Sequence, residues 1–228
     1  MRSMKIKSRF IHKENRFVIL FLSLIATIIL PALSPILSEG LTDLVSAICF
    51  SGIVVAGYIW DSEERRDHAL GLIFGAAAFF SLGARVAISQ DDTWYLVHTV
   101  FALFFFNVLE FKLLRSVFNS KEVNYGIIFG AISGYLTLGI MGGFWMTLMD
   151  FVEPYSFHPS IPHLPSYDYT YFSFVSMTTL GFGDILPQKP PAKAIVMLIT
   201  ILGQLYLSTL IGLLIGKLMI NYQSQVKN

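Results

Sequence analysis

The chain has 228 residues, of which 14% are charged and 54% hydrophobic, with a mean hydropathy of +0.64. A soluble domain carries about 25% charged residues, so this composition excludes an ordinary soluble enzyme, and the hydrophobic content excludes a disordered chain. The net charge of +1 gives no footprint for nucleic acid, and a single cysteine, Cys49, excludes an intrachain disulfide or a cysteine-based metal site. The chain is therefore predicted to be a polytopic membrane protein.

Six apolar stretches are long enough to cross a bilayer core of about 30 Å as helices. In chain order they are residues 17–37, 41–60, 69–88, 94–114, 125–149 and 192–220. Pro31 and Pro35 are expected to kink or end the first of them, because proline lacks the amide donor that a helix needs. A cleaved signal peptide is the alternative interpretation of the first stretch, although no small-residue cleavage site follows it.

The placement of lysine and arginine predicts the orientation. With both termini in the cytoplasm, thirteen basic residues lie inside, whereas Lys189 and Lys193 lie outside. The thirteen are Arg2, Lys5, Lys7, Arg9, Lys13, Arg16, Arg65, Arg66, Lys112, Arg115, Lys121, Lys217 and Lys227. We expect a multi-pass protein of a cell membrane with both termini cytoplasmic. The compact size of the chain favours a prokaryotic inner membrane, by analogy with small prokaryotic membrane proteins.

The segment between the last two stretches does not behave as a simple loop. Its first part, residues 150–167, contains four prolines and two histidines and is expected to be exposed and irregular. Residues 169–177 are too apolar for a loop, yet about 11 helical residues rise only about 16 Å, which ends near the bilayer centre. About five extended residues then return the same distance. These lengths predict a re-entrant loop.

The glycines of this loop suggest its chemistry. Gly181 and Gly183 alternate with larger residues, and glycine adopts the left-handed conformations that let successive carbonyls point to one side. A ladder of carbonyl oxygens can replace the water shell of a cation. The carboxyl end of the short helix, near Met177 and Thr178, adds the negative end of its dipole. One chain supplies one ladder, so a closed ring needs several chains.

The run Ser-Met-Thr-Thr-Leu-Gly-Phe-Gly-Asp at residues 176–184 resembles the pore loop of potassium channels, whose usual signature is Thr-Val-Gly-Tyr-Gly-Asp. The resemblance covers about the last 100 residues and implies an outer helix, a pore helix, a filter and an inner helix in a homotetramer. It implies potassium ions, with no other cofactor, in a filter with Thr178 at the pore-helix end and Asp184 at the outer mouth. The implied filter residues, which coordinate through backbone carbonyls and the Thr179 hydroxyl, are Thr179, Leu180, Gly181, Phe182 and Gly183.

Two departures from the family signature are Leu180 and Phe182, which stand where valine and tyrosine are usual. Phe182 lacks the hydroxyl that ties the filter to the pore helix, and Tyr171 and Phe172 occupy positions often held by tryptophan. We expect selectivity to persist with a less stable filter. The alternative is a chance turn in an outer loop; a phosphate-binding loop is excluded because no Gly-Lys-Ser/Thr follows.

Gly203 lies about 19 residues after Asp184, where the resemblance implies a hinge in the inner helix. Close helix packing is the equally weighted alternative. The fourth stretch lacks the regular arginines of a voltage sensor and has only Glu110 and Lys112 near its cytoplasmic end. Moving one charge across the membrane field is worth about 2.3 kcal/mol per 100 mV, so steep voltage dependence needs several such charges in each subunit. With so few charges in the fourth stretch, little voltage dependence is expected.

Arg85 within the third stretch is either a functional intramembrane charge or a side chain that reaches the outer surface. His158 and His163 are either titratable modulators or ordinary loop residues. No Ser-His-Asp or zinc-ligand spacing is present in the sequence, so no enzyme is expected.

The predicted fold is an all-α membrane protein with six transmembrane helices and a re-entrant pore helix and selectivity filter between helices five and six. The predicted units are a cytoplasmic tail (1–16), a four-helix sensor-like or scaffold region (17–118), a pore domain (119–220) and a second tail (221–228), without an attached cytoplasmic ligand-binding domain. The expected function is passive potassium conduction, with the chain itself and membrane lipid as partners. A weakly selective cation channel and a non-conducting sensor or accessory subunit are the alternatives.

Overall fold

A computed structural model describes residues 17–33, 45, 48–56, 65–87, 92–120, 123–158 and 166–226. These residues are helical apart from turns and one two-stranded antiparallel ladder. The helices are α1 (Phe17–Ile29), α2 (48–56), α3 (Arg65–Ala87), α4 (Asp92–Asn119), α5 (Tyr125–Val152), α6 (Ser166–Met177) and α7 (Pro190–Val226). The strands are β1 (Phe157–His158) and β2 (Leu186–Pro187).

Three of these helices are long and apolar enough to cross a membrane. The candidate spans are Thr93–Asn119, Tyr125–Val152 and Pro190–Lys217, whereas α1 and the apolar part of α3, Leu70–Ala84, are shorter. The chain is therefore a multi-pass membrane protein. Six spans stay a prediction, because parts of the first three predicted stretches (34–37, 41–44, 46–47, 57–60 and 88) lie outside the described residues.

Helix ends follow local chemistry. The α-helical geometry of α1 ends at Ile29 and a 3-10 helix, Leu30–Leu33, takes up Pro31, as the proline predicts. Helix α7 starts at Pro190, two residues before the predicted start, because proline is well tolerated in a first turn whose amides have no helical partner. Helix α4 continues past the predicted end at residue 114 to Asn119, since no glycine or proline interrupts it.

The first half of the chain packs through aromatic rings. Phe50 of α2 lies 5.5 Å from Phe105 of α4, measured between ring centroids, and Phe106 stacks on Phe144 of α5 at 5.6 Å. Phe50, Phe105 and Phe106 are buried in one apolar cluster with residues of α1, α3 and α5. The α1–α4 region therefore packs against α5 through apolar side chains.

In the second half, α6 packs between α5 and α7. Small residues on α5 allow this approach, because an added Cβ at Gly143 would lie 2.7 Å from the Cα of Thr170. The hydroxyl of Tyr206 on α7 fills the space beside Gly134 and donates to the Ala131 carbonyl at 2.8 Å. The glycines of α5 therefore serve close packing, and α6 lies against both long helices.

The ends of α4, α5 and α7 meet in an apolar cluster of Val117, Ile127, Ala131 and partly buried leucines of α7. Beside it, the ammonium of Lys217 donates to three carbonyl oxygens at the end of α4. These belong to Val117 (2.9 Å), Phe118 (3.1 Å) and Ser120 (2.6 Å). Terminal carbonyls of a helix have no donor of their own, and the negative end of its dipole favours a cation. Lys217 therefore caps α4 from α7.

Candidate pore loop

The short helix α6 has 12 residues, which rise about 18 Å and cannot cross a bilayer core. It ends at Met177, where the sequence predicts the end of the apolar run. Asp168 lies in its first turn, where a negative charge complements the helix dipole. The next described helix starts at Pro190, so residues 178–189 form the return segment with β2 inside it.

The backbone of the return segment alternates in hand. Thr179, Gly181 and Gly183 have φ of 61°, 57° and 79°, whereas Leu180 and Phe182 between them do not have positive φ. Such alternation aligns successive N–H groups on one side. Because the carbonyl of a trans peptide points opposite to its N–H, the carbonyls line the other side. The two glycines take the conformation expected of them, and Thr179 joins them at a strain of about 1 kcal/mol.

The amides of this segment close the end of α6. A helix leaves its last four carbonyls without donors, and three of those of α6 receive backbone N–H groups from the residues that follow. The pairs are Phe174 O with Thr178 N (2.9 Å), Val175 O with Leu180 N (3.0 Å) and Ser176 O with Thr179 N (3.0 Å). The N–H side of the alternating segment therefore faces its own helix, which leaves the carbonyl side turned away.

The outer end of the segment is tied to α6 by a side chain. The Tyr171 hydroxyl donates to Asp184 Oδ2 at 2.7 Å. This hydrogen bond lowers the pKa of the Asp184 carboxyl below its ordinary value of 3.8, while partial burial and the nearby Asp184 charge raise the pKa of Asp168. Tyr171 thus supplies a bond between the return segment and α6 although Phe182 has no hydroxyl. The sequence shows Tyr171 at an unusual position but gives no signal for this bond.

The loop before α6 is more ordered than its prolines predict. Asp150, Ser156 and Phe157 are buried, whereas Val152 and Tyr155 are exposed, so the described part of residues 150–167 is only partly exposed; residues 159–165 lie outside the described residues. The Asp150 carboxylate accepts from the Tyr169 hydroxyl at 2.7 Å and from the Ser156 amide at 2.9 Å. A buried acceptor with two donors fixes this loop on α6.

The same loop is joined to the second half of the return segment. Strands β1 and β2 pair antiparallel, with Phe157 opposite Pro187. Lys189 lies 3.3 Å from Glu153 and donates to the Pro154 carbonyl at 2.7 Å. The loop before α6 and the end of the return segment are therefore held together by backbone pairing and by the contacts of Lys189.

Gly203 lies on α7 and is buried. An added Cβ would overlap the side chain of Met177, so the packing interpretation has a specific contact. Helix α7 runs unbroken through this position, and the hinge interpretation stays a prediction. The side chains of Arg85, His158 and His163 lie outside the described residues. Within the part of the chain that the structure describes, no three His, Cys, Asp or Glu residues could hold a metal ion.

Comparison with known proteins assigns the class of this region. Residues 126–219, which run from α5 into α7 and include the whole return segment, match the model of a family described as "Ion channel". These residues therefore form an ion channel-type domain in a multi-pass membrane protein.

A relative from Caenorhabditis elegans, the TWiK family of potassium channels protein 7, is 37% identical over 75 residues. That alignment covers 32% of this chain and 12% of the relative, so the chain matches a small part of the relative's length. No solved structure matched the chain.

Proposed function

We propose that the chain is a potassium-selective channel, conducting passively through a homotetrameric pore and weakly or not at all gated by voltage. The observation that carries the proposal is the alternation of backbone hand at Thr179, Gly181 and Gly183, directly after a helix too short to cross the membrane. The ion channel domain and the relative named as a potassium channel support the same conclusion.

Conduction in this proposal depends on backbone oxygens. A dehydrated potassium ion exchanges its water shell for rings of carbonyls from Thr179 to Phe182, with the Thr179 hydroxyl at the inner end. Gly183 and Asp184 form the exit, where the Tyr171 bond keeps the carboxylate charged. The carboxyl end of α6 directs its negative dipole at the inner end. The ion moves down its gradient, and no bond is made or broken.

The apolar surface that a single chain leaves uncovered supports the proposed homotetramer. Leu180 and Phe182 are 57% and 65% exposed in the isolated chain, and only 11% of the apolar window of α7 is buried. Large apolar side chains remain exposed along α7, namely Met197, Leu198, Ile201, Leu202, Leu205, Ile211, Ile215 and Met219. Three further copies around a central axis would cover part of this surface and complete the ring of carbonyls.

The proposed division of the chain keeps residues 17–118 as a scaffold or sensor-like region and residues 119–220 as the pore domain. Helix α4 carries Glu110, which is buried, and both of its carboxyl oxygens lack a hydrogen-bond partner among the described residues. The basic residues of α4, Lys112 and Arg115, lie near the cytoplasmic end of this helix in the proposed orientation, so few charges cross the membrane field. Both termini lie in the cytoplasm of a prokaryotic cell in this proposal.

Reconstitution in planar bilayers tests the proposal. Current through the purified protein under opposed potassium and sodium gradients should reverse near the potassium equilibrium potential, with open probability nearly constant as voltage is stepped. Equal permeability to both ions would instead support a weakly selective cation channel. Absence of current from a preparation shown by mass to be tetrameric would support a non-conducting sensor or accessory subunit.

A further inference from the structure

We propose that Gln204 of α7 is a positioning residue for the inner end of the filter, and that its side-chain amide maintains ion selectivity by holding the carbonyl of Met177. The proposal rests on the proposed function for the selectivity part. The geometric part, that α7 fixes the junction between α6 and the filter, stands on contacts within one chain.

The first step concerns the fourth terminal carbonyl of α6. Three of the last four carbonyls are satisfied by the backbone that follows them, but Met177 O has no such partner. Its donor is Gln204 Nε2 at 2.9 Å, from a residue 27 positions away. Gln204 therefore completes the hydrogen bonding of the helix end, and it does so from a different helix.

The second step concerns the side chain of Met177. It is fully buried, and its Cγ occupies the volume that a Cβ at position 203 would need. Gly203 therefore receives the Met177 side chain while Gln204, the next residue, holds the Met177 carbonyl. Two adjacent residues of α7 thus fix both the backbone and the side chain of the last residue of α6.

The third step links the contacts of Met177 with α7 to the coordinating atoms of the proposed filter. Met177 lies two residues before Thr179, whose carbonyl and hydroxyl form the inner end of the proposed filter. The hydroxyl of Thr178 donates to Phe174 O at 2.7 Å, so it is engaged with α6 rather than with Met177 O. Without the Gln204 amide, Met177 O lacks a donor and gains by turning toward water or a cation. That rotation displaces the peptide that precedes the coordinating oxygens.

Gln204→Met is the informative variant, because it keeps the length and bulk of the side chain and removes the donor. The matched control is Asn107→Leu, which removes an amide on α4 whose donor bonds within its own helix, to Leu103 O at 2.8 Å. In bilayers, the sodium-to-potassium permeability ratio is expected to rise about tenfold in Gln204→Met, the factor that one hydrogen bond is worth. It should stay at the wild-type value in Asn107→Leu.

Hydrogen–deuterium exchange gives a readout that needs no current. Amides of residues 178–181 should exchange about tenfold faster in Gln204→Met than in wild type, at equal tetramer content, and stay unchanged in Asn107→Leu. Unchanged exchange in Gln204→Met overturns the positioning role. Faster exchange with an unchanged permeability ratio overturns the selectivity role. Faster exchange in a protein whose wild type carries no current refutes the proposed function while the positioning role stands.

Discussion

The α1–α4 region and the pore half are held together by different forces. In the first half, aromatic rings interlock, and several polar side chains bond to a carbonyl of their own helix, as Thr27 does to Ser23 and Asn107 to Leu103. One described contact there joins two helices, since His98 Nδ1 of α4 lies 3.0 Å from the Ala78 carbonyl of α3. In the pore half, side chains cross between elements. The crossing pairs are Tyr169 with Asp150, Tyr171 with Asp184, Gln204 with Met177 and Tyr206 with Ala131.

The two kinds of contact differ in how exactly they fix the position of the groups that they join. Apolar contact tolerates small shifts, because its energy spreads over many weak atom pairs. A hydrogen bond weakens steeply when its length or angle departs from a narrow range, so it fixes position. Among the described residues, two of these crossing hydrogen bonds lie at the two ends of the segment whose carbonyls form the ring in the proposed channel. The first half packs on α5 through an apolar cluster.

The largest expected effect comes from one substitution made in both halves. Gly181→Ala places a Cβ on a residue with φ of +57° and should reduce potassium current at least about a hundredfold, since alanine disfavours that conformation and the carbonyl turns away. Gly83→Ala lies in α3 with open space around it and should leave the current unchanged and stabilise the helix by about 0.5–1 kcal/mol. Bilayer current and thermal unfolding in detergent measure both. Equal loss of current in the two variants would contradict the comparison.

Asp150→Leu is expected to destabilise the pore half by about 2–4 kcal/mol, because it leaves the Tyr169 hydroxyl and the Ser156 amide buried without an acceptor. The control is Glu153→Gln, which removes a half-exposed ion pair with Lys189 and should cost less than about 1 kcal/mol. Unfolding in detergent followed by near-ultraviolet circular dichroism measures both. Similar costs would show that the buried carboxylate fixes nothing.

Tyr171→Phe should change the response to acid. The hydrogen bond from Tyr171 lowers the pKa of Asp184 below its ordinary value of 3.8. The stability that this bond contributes is therefore fully present above pH 3.8 and is lost as the pH falls through the lower pKa of the folded protein. Without the hydroxyl, the carboxyl protonates at higher pH, and potassium current should decline at a correspondingly higher external pH. Tyr167→Phe, at an exposed tyrosine of the same helix, is the control and should keep the wild-type midpoint. A Tyr171→Phe midpoint equal to wild type would refute the role of the bond.

The smallest effect is expected from Phe50→Leu in the aromatic cluster of the first half. The swap keeps an apolar side chain and should cost about 1 kcal/mol in stability, because neighbouring rings repack around it. The sodium-to-potassium permeability ratio should equal that of wild type. A changed ratio would mean that the first half also sets filter geometry.

The parts that could be predicted from the sequence are those governed by local spacing. The length of α6, its end at Met177 and the left-handed glycines after it follow from a run of about fifteen residues. Gln204 lies 27 residues from its acceptor and Lys217 about 100 residues from its own, so no local pattern reveals them. The loop before α6 was predicted as irregular because its prolines are visible in the sequence, whereas the burial of Asp150 depends on Tyr169 arriving beside it.

The Lys217 cap has a mechanical consequence. Its ammonium donates three hydrogen bonds to carbonyls at the end of α4, so this part of α7 cannot move away from α4 without breaking these bonds or pulling α4 with it. Helices α4 and α7 are therefore expected to move together at this point, because a shift of either one strains the three hydrogen bonds that join them.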